Sequence, residues 1–268
     1  MVKNMKLTVL TDNSTYIDRY YLAEPALSFY IEDGNKKILF DTGYSDVFIK
    51  NAQKMQINLQ DLDYIVFSHG HNDHTGGLEF LGENKAEIIA HPNCFDKKFH
   101  LGFEVGSVLK KEDITDKYRC RFTKQPFYIT DNLLFLGEIP RRFQFENISV
   151  GTTIYQGKEI DDYVKDDTAL VYKGEDGLFI ITGCSHSGIC NIAEYAKELC
   201  RDSRINGIIG GFHLFSEDER LEKTVDYLAK NKIKTLYPCH CVSLKAKHLM
   251  MNKLNAEETA VSLELNIQ

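Results

Sequence analysis

The sequence predicts an α/β layered domain. Short apolar runs typical of buried strands alternate with segments that carry helix signals, and they do so in both halves of the chain. Several of these runs end directly at a histidine or at an Asp-Thr-Gly triplet, so residues able to do chemistry stand where strands end. With 268 residues, 43% of them apolar, the chain is long enough to bury a substantial core.

The first 91 residues predict the order strand, strand, strand, helix, strand, helix, strand. A hairpin is expected at Glu32-Asp33-Gly34-Asn35, because Asp-Gly and Gly-Asn tolerate positive φ. The predicted strands cover residues 7–10, 27–31, 37–40, 64–67 and 87–90.

Residues 92–165 do not continue the alternation of predicted strands and helices, although 118–122 and 133–136 are strand candidates. We interpret this stretch as an inserted lobe that shapes a substrate pocket within a single domain covering residues 1–268. Alternation then returns, with strands, a helix over 188–200 and a helix over 216–231 that a Ser-x-x-Glu capping box at Ser216 and Glu219 would open. A strand at 235–237 and a last helix complete the pattern.

Charge and composition exclude several classes of partner. The 32 basic and 39 acidic residues give a net charge of −7, and no run of five basic residues is present, so nucleic acid is not expected. The chain has neither a signal-peptide pattern nor about 18 consecutive apolar residues, which predicts a cytoplasmic protein with no membrane partner. Its seven cysteines are expected to be reduced thiols. The sequence predicts no particular oligomeric state.

A cluster of metal-ligand residues follows the strand at 64–67. It contains His69, His71, Asp73 and His74 within six positions. In an extended segment residues two apart project to the same side, so His69 and His71 can bind one ion, while Asp73 and His74 turn toward a neighbouring position. This geometry suits two metal ions that share one solvent molecule.

The pattern His-x-His-x-Asp-His after a strand resembles the defining motif of the metallo-β-lactamase superfamily. The run Leu39-Phe40-Asp41-Thr42-Gly43 is similar to an earlier motif of that superfamily, in which the aspartate supports the metal loop. The resemblance implies a four-layered αβ/βα sandwich, and it assigns the supporting role to Asp41.

The later superfamily ligands have candidates in the second half of the chain. His240 stands where the final histidine of the superfamily belongs, and the flanking Cys239 and Cys241 are interpreted as packing residues. Cys184 stands where a bridging aspartate is usual. A thiolate binds zinc or iron well, so Cys184 is a candidate ligand, with a buried structural cysteine as the alternative.

One superfamily ligand is missing, because no histidine lies between His100 and His186. His91, His186 and His213 are the candidates to replace it, and each could instead be a hydrogen-bonded, partly buried histidine. His186 or His213 could also protonate a leaving group or hold a substrate phosphate. The predicted catalytic residues are therefore Asp73, His186 and His213.

The runs Gly-Cys-Ser-His-Ser-Gly-Ile and Gly-Gly-Phe-His-Leu, with the approach over 166–170, resemble one branch of the superfamily. That branch is dihydropteroate-synthase-like, or 7,8-dihydropterin-6-methyl-4-(β-D-ribofuranosyl)aminobenzene-5'-phosphate synthase-like. The resemblance implies a metal-dependent hydrolase in which metal-activated hydroxide attacks a phosphate ester, a cyclic phosphate or a pterin phosphate. Two zinc ions are the expected cofactor, with iron or manganese as alternatives.

Two other functions remain open at this point. A cysteine at the site favours softer, redox-active metals, which suits an iron-dependent oxidoreductase on the same fold. The missing histidine suits a weakly catalytic ligand-binding or sensor protein. Nuclease activity on RNA is disfavoured, because the excess of acidic residues predicts no basic surface that could bind the phosphate backbone of an RNA strand.

Overall fold

Two β-sheets lie face to face at the centre of the fold, with helices on their outer faces. The computed structural model describes residues 4–268. Residues 1–3 lie outside the described residues, so the structure does not bear on the part of the signal-peptide prediction that concerns them. The two sheets and their helical covers form the four-layered αβ/βα sandwich, so the predicted fold class is confirmed.

Short strands make up most of the regular structure. In chain order the strands of the described residues are β1 (Met5–Thr11), β2 (Ser28–Asp33), β3 (Lys36–Phe40), β4 (Tyr64–Val66), β5 (Glu87–Ala90), β6 (Lys98–His100), β7 (Phe103–Glu104), β8 (Cys120–Phe122), β9 (Phe127–Tyr128), β10 (Leu133–Phe135), β11 (Gly151–Tyr155), β12 (Lys158–Asp162), β13 (Ala169–Gly174), β14 (Gly177–Thr182), β15 (Ile205–Gly210), β16 (Thr235–Pro238) and β17 (Glu264–Ile267). The predicted apolar runs match eleven of these strands, whereas six strands were not predicted: β6, β7, β9, β11, β12 and β17.

The first sheet has the strand order β17-β1-β2-β3-β4-β5-β8. The predicted hairpin joins β2 to β3, with Asp33 opposite Lys36 and with Gly34 at φ +62°. Strands β3, β4 and β5 are parallel, so their carboxyl ends meet at one edge of the sheet. The ligand cluster and Asp41 follow two of these ends.

The second sheet has the order β16-β15-β14-β13-β10-β9, and β14, β15 and β16 are parallel. Its inner face packs on the first sheet through fully buried apolar side chains, among them Phe29 and Phe40 from one sheet and Tyr172 and Ile181 from the other. Burial of this kind contributes about 25 cal/mol for each Å² of apolar surface. The core thus fixes the two sets of strand ends against each other.

Strands from residues 92–165 enter all three sheets of the protein. β8 lies at the edge of the first sheet, and β9 and β10 belong to the second. Only β6, β7, β11 and β12 stand apart, in a four-stranded sheet of order β12-β11-β6-β7. We refer to these four strands as the lobe sheet.

Six α-helices cover the sandwich in the described part of the chain. They are α1 (Val47–Lys54), α2 (Asn72–Thr75), α3 (Lys111–Lys117), α4 (Ile189–Cys200), α5 (Glu219–Lys230) and α6 (Leu244–Lys253). The predicted capping box of α5 was wrong, because the side chain of Asp218 caps the helix by accepting a hydrogen bond of 3.0 Å from the Leu221 N–H. No helix in residues 4–268 is long and apolar enough to cross a membrane.

Candidate metal centre

The predicted site residues converge where the two sheets present the carboxyl ends of their strands. The ligand cluster at 69–74 follows β4, Cys184 and His186 follow β14, and His240 follows β16. The chain turns sharply there, since Asp41, Ser185, His213 and His240 all have φ between +50° and +59°. Left-handed backbone at non-glycine residues costs free energy, and such conformations cluster at functional sites.

Three histidines form the first group of ligand atoms, His69, His71 and His186, whose ligand atoms lie within 4.8 Å of one another. The His69 Nε2 and His71 Nδ1 atoms are 3.0 Å apart. Two nitrogens bound to one tetrahedral zinc ion at about 2.1 Å would lie roughly 3.4 Å apart, so a small adjustment of the two rings would let them share an ion. His186 is one of the three candidates for the ligand that the sequence lacked between positions 100 and 186, and it lies in this group. We call these residues the three-histidine group.

Four residues form the second group, which we call the thiol group: Asp73, His74, Cys184 and His240. The His74 Nε2 atom lies 3.2 Å from both Cys184 Sγ and His240 Nε2, and His240 Nε2 lies 3.2 Å from an Asp73 carboxylate oxygen. A carboxylate, two imidazoles and a thiol are a donor set that zinc or iron accepts. The rings of His69 and His74 are 4.2 Å apart, so the two groups adjoin.

Asp41 supports both groups from beneath. Its Oδ1 atom accepts the Ser68 N–H at 2.7 Å, and its Oδ2 atom accepts the Ser68 hydroxyl at 2.6 Å and the His74 Nδ1–H at 2.7 Å. Holding the proton on Nδ1 leaves His74 Nε2 free to bind a metal. Gly183 makes room for this contact, since a Cβ there would lie 2.1 Å from the Ser68 hydroxyl oxygen.

His240 is held by two residues that sequence reasoning missed. The Asp12 carboxylate accepts the His240 backbone N–H at 2.7 Å, and the Asn13 side-chain oxygen lies 2.9 Å from His240 Nδ1. Both residues follow β1, as Asp41 follows β3. Polar residues directly after a buried strand were therefore a usable signal at positions 12 and 13.

A buried ionic cluster lies behind the three-histidine group. The Lys98 ammonium, on a side chain only 3% exposed, is 2.7 Å from Asp166 and 3.2 Å from Asp162. Asp166 also accepts the Gly70 N–H at 2.8 Å, which ties the loop between His69 and His71 to the lobe sheet. Gly70 has no room for a side chain, since a Cβ would lie 1.7 Å from the Cys94 carbonyl oxygen.

The electrostatic environment favours the metal-binding protonation state at four of the candidate ligands, but not at His74 or Cys184. Burial lowers the pKa of His74, but the carboxylates of Asp73 and Asp41 raise it to about 9, and burial raises the pKa of the Cys184 thiol well above its usual range, so a metal ion would have to displace a proton from each. Burial lowers the pKa of His71 to about 4 and that of His69 and His186 well below the usual range, so these imidazoles are neutral at pH 7. Burial alone would raise the pKa of Asp73, but the adjacent His74 and His240 lower it, so Asp73 is a carboxylate. Neutral imidazoles and carboxylates are the forms that bind metal.

His186 provides a direct test of whether a metal fits. Both of its ring nitrogens are buried, and neither has a hydrogen-bond partner among residues 4–268. A buried polar atom without a partner costs about 1–3 kcal/mol. A cation in the three-histidine group would satisfy one of these nitrogens, so the residues present fit a divalent metal ion.

The other predicted residues lie elsewhere. The structure does not bring His91 to either group, because its Nε2 atom pairs with Glu138 at 3.1 Å. His213 also lies outside both groups, but its ring is 4.4 Å from that of His186. Burial and the charge of Arg220 lower the pKa of His213 to about 3. Cys239 is buried in the core between the sheets, and Cys241 lies beside Cys184.

A cleft of about 790 Å³ opens above the two groups. Its floor includes His71, Asp73, Cys184, His186 and His240. Its walls come from His100, Val105, residues 148–150, residues 213–216, Asp218 and Arg220. A larger cavity of about 880 Å³, lined by residues such as Asp61 and Lys117, has no histidine or cysteine in its lining. Size alone therefore does not identify the site, whereas the ligand groups do.

The contacts of Asp41 predict the effect of Asp41→Asn. The amide would present N–H donors where the carboxylate accepts the His74 Nδ1–H, which favours the tautomer with its proton on Nε2 and blocks that ligand atom. We expect metal affinity of the thiol group to fall about 10- to 100-fold. Competition with a chromophoric chelator measures this affinity.

Asp63→Asn is the matched control, because Asp63 also accepts a backbone N–H, that of Lys37, but lies away from the metal groups. It should leave metal affinity unchanged. Equal metal affinities in the Asp41→Asn and Asp63→Asn proteins would contradict the supporting role of Asp41.

Comparison with known proteins places the chain in a family. Residues 22–240 match the model of the metallo-beta-lactamase superfamily. The chain is 36% identical over 245 residues to an uncharacterized protein of Methanocaldococcus jannaschii, covering 90% of this chain and 91% of that protein. It is 31% identical over 275 residues to the 7,8-dihydropterin-6-methyl-4-(beta-D-ribofuranosyl)-aminobenzene-5'-phosphate synthase of the same organism, covering 96% of this chain and 94% of the synthase.

Solved structures agree with this placement. Tm1679, a metal-dependent hydrolase of the beta-lactamase superfamily, has a TM-score of 0.86 at 29% identity, covering 97% of this chain and 98% of its own. A diphosphatase from the PhnP family shares the fold, with a TM-score of 0.56 at 14% identity over 99% of this chain and 98% of its own. The chain belongs to the metallo-beta-lactamase superfamily of metal-dependent hydrolases, in the branch that includes the dihydropterin phosphate synthase.

Proposed function

We propose that the protein is a dinuclear zinc hydrolase that cleaves a phosphate ester, cyclic phosphate or pterin-phosphate-like small molecule. The observation that carries the proposal is the pair of adjacent ligand groups on the floor of one cleft. The three-histidine group would hold one ion and the thiol group the other. His186 supplies the ligand whose absence from the sequence motif favoured a binding or sensor protein, so we prefer the catalytic alternative.

Each part of the site has a task in this proposal. When bound, two divalent ions would lower the pKa of a shared water toward neutrality and neutralise charge on the departing oxygen. Asp41, Asp12 and Asn13 orient the ligands His74 and His240. His213 lines the cleft beside His186, so its ring N–H can donate a hydrogen bond to the leaving oxygen.

A phosphorylated substrate is favoured by the family branch. The relative at 31% identity is by name a synthase of a pterin-containing 5'-phosphate. The walls contributed by His100, Val105 and residues 148–150 support the interpretation of the lobe, within a single domain, as a part that shapes the pocket. Because that relative is a synthase, pterin phosphates should be assayed both for release of inorganic phosphate and for a coupled product.

Removing two ligands at once tests the proposal. The double variant His71→Ala/His74→Ala takes one imidazole from each group, so bound zinc should fall from two ions per chain to a trace. Phosphate release should fall at least about 10³-fold, since metal activation supplies several kcal/mol of transition-state stabilisation. Metal analysis and a phosphate-release assay measure the two effects.

His248→Ala is the control, because His248 is an exposed helical histidine bonded to Asn252. It should retain both ions and full activity. Full metal content and activity in the double variant would refute the proposal.

Cys184 supports one alternative, an iron-dependent oxidoreductase on the same ligands. Its thiol lies in the thiol group, and thiolates favour softer, redox-active metals. Metal analysis and absorption spectra of protein purified with and without oxygen separate the two. Iron with a thiolate absorption band that changes on exposure to oxygen would favour the oxidoreductase, and colourless zinc protein would favour the hydrolase.

A further inference from the structure

Arg220 lies in the wall of the metal cleft, in the first turn of α5. Its NH1 atom donates a hydrogen bond of 3.2 Å to the carbonyl oxygen of His213, whose ring packs on His186. The guanidinium is thus connected to the three-histidine group through a single residue. Its Nε atom is buried and has no hydrogen-bond partner in the described part of the chain.

The charge of Arg220 is not matched by a nearby carboxylate. Within residues 4–268 its guanidinium forms no ion pair with a carboxylate, and its hydrogen bond goes to the His213 carbonyl oxygen. The two carboxylates that act on it at longer range are Glu146 and Asp218. Glu146 accepts the backbone N–H groups of Cys190 and Asn191, and Asp218 accepts that of Leu221.

A half-buried guanidinium without a carboxylate partner is unfavourable unless water or an anion satisfies its remaining donors. A guanidinium has five N–H donors in a planar fork that matches a carboxylate or phosphate. Because Arg220 lines the cleft, an anionic group of a bound molecule can supply the missing acceptor. The cleft therefore offers an anion-binding position beside the metal groups.

Apolar side chains face the same cleft without protein packed over them. We call Val105, Ile148, Val150 and Phe215 the apolar wall. Ile148 is 43% exposed and Phe215 is 56% exposed. The Phe215 ring lies 4.6 Å from that of His213, so a row of rings leads from the apolar wall to His186. Exposed apolar side chains that line a cleft mark a binding surface for an apolar group.

We propose that Arg220 binds an oxyanion of the substrate and that the apolar wall binds a flat, ring-bearing group of the same molecule. The inference rests on the proposed phosphoester hydrolysis and narrows its substrate class. The substrate is an ester between phosphate and a ring-bearing alcohol, rather than the phosphate of a small polar alcohol. Arg220 and Phe215 are then specificity-determining residues.

Phosphonates test this recognition apart from turnover, because their P–C bond is not hydrolysed. We expect metal-loaded protein to bind 1-naphthylmethylphosphonate at least about tenfold more tightly than ethylphosphonate, measured by isothermal titration calorimetry. Equal Kd values for the two compounds would overturn the role of the apolar wall.

The variant Arg220→Met should weaken binding of both phosphonates by about 10- to 100-fold, since a charge-assisted hydrogen bond is lost. Arg220→Lys should recover part of that loss, because it restores the charge without the fork. Arg204→Met, which removes an exposed arginine paired with Asp202, should change nothing. Unchanged binding in Arg220→Met, or weaker binding that tracks a loss of bound metal, would overturn the assignment of Arg220.

The variant Phe215→Ala should weaken naphthylmethylphosphonate binding about three- to tenfold and leave ethylphosphonate binding unchanged. Phe103→Ala is the matched control, since Phe103 is exposed on the lobe sheet outside the cleft. An equal change for both phosphonates in Phe215→Ala would overturn the role of Phe215.

The experiment separates failure of this inference from failure of the proposed function. Selective binding that needs Arg220 and Phe215, with no phosphoester cleaved, would refute the hydrolase and leave the recognition intact. Cleavage of phosphoesters with no preference for ring-bearing compounds would refute the recognition alone.

Discussion

The variant His186→Ala should lose one of two bound metal ions and at least about 99% of its activity. His186 completes the three-histidine group, and its two buried ring nitrogens have no hydrogen-bond partner within residues 4–268 that the substitution would remove. Without a third imidazole, His69 and His71 remain as a two-ligand site that holds zinc weakly. Metal activation supplies several kcal/mol, so the loss in rate is on the order of 10² to 10⁴. Metal analysis and kcat/KM measure the two effects.

The variant His91→Ala is the matched control, because His91 is also a fully buried histidine at the end of a strand. Its imidazole pairs with Glu138 rather than with the metal groups, so both ions should stay bound. Added imidazole should restore metal and part of the activity to His186→Ala only. Loss of an ion from His91→Ala, with two ions kept in His186→Ala, would reverse our assignment of the third histidine.

The choice between His91 and His186 shows where sequence reasoning reached its limit. Both follow an apolar run, and the expected parallel strands β4 and β5 placed His91 in the same edge as His69. Strand order alone does not fix the direction of the chain after a strand ends. Left-handed backbone at Ser185 turns the chain at the end of β14 toward the other sheet, and no residue pattern announces that turn.

Local features of the sequence were sufficient for most of the fold. The strand runs, the Asp-Gly hairpin and the ligand cluster each combine a short pattern with a physical reason, and Asp41 came from a motif resemblance. Contacts between distant segments were not predictable in this way. Lys98 and Asp166 are 68 positions apart and meet only when the lobe sheet packs behind the metal loop. Arg220 looks like a surface helical residue until α5 is placed beside the cleft.

Among the substitutions proposed for charged residues, we expect Lys98→Met to lower the free energy of unfolding the most. It leaves the carboxylates of Asp162 and Asp166 buried without their cation, which costs about 3–5 kcal/mol. Lys36→Met, at a half-exposed pair with Asp63, should cost about 0–1 kcal/mol. The free energy of unfolding from urea denaturation measures both. An equal loss of unfolding free energy in the two variants would show that the buried ion cluster stabilises the protein no more than the half-exposed pair does.

The pH dependence of the free energy of unfolding should show why Lys98→Met is destabilising. In the native protein burial raises the pKa of Asp166, but the charge and hydrogen bond of Lys98, with His71 and His91, lower it overall. The stability that Asp166 contributes is therefore present above the unfolded pKa and falls as pH drops through the acid range. Without Lys98, burial would raise the folded-state pKa above the unfolded value of about 3.9, so the penalty would shrink as pH falls from 7 toward 4. The cost of Lys98→Met should therefore be smaller at pH 5 than at pH 7.

A triple variant that also carries Asp162→Asn and Asp166→Asn should show no such pH dependence, because no ionisable group remains in the cluster. A cost that is the same at both pH values in the single variant would mean that lost packing, not unpaired charge, destabilises the protein.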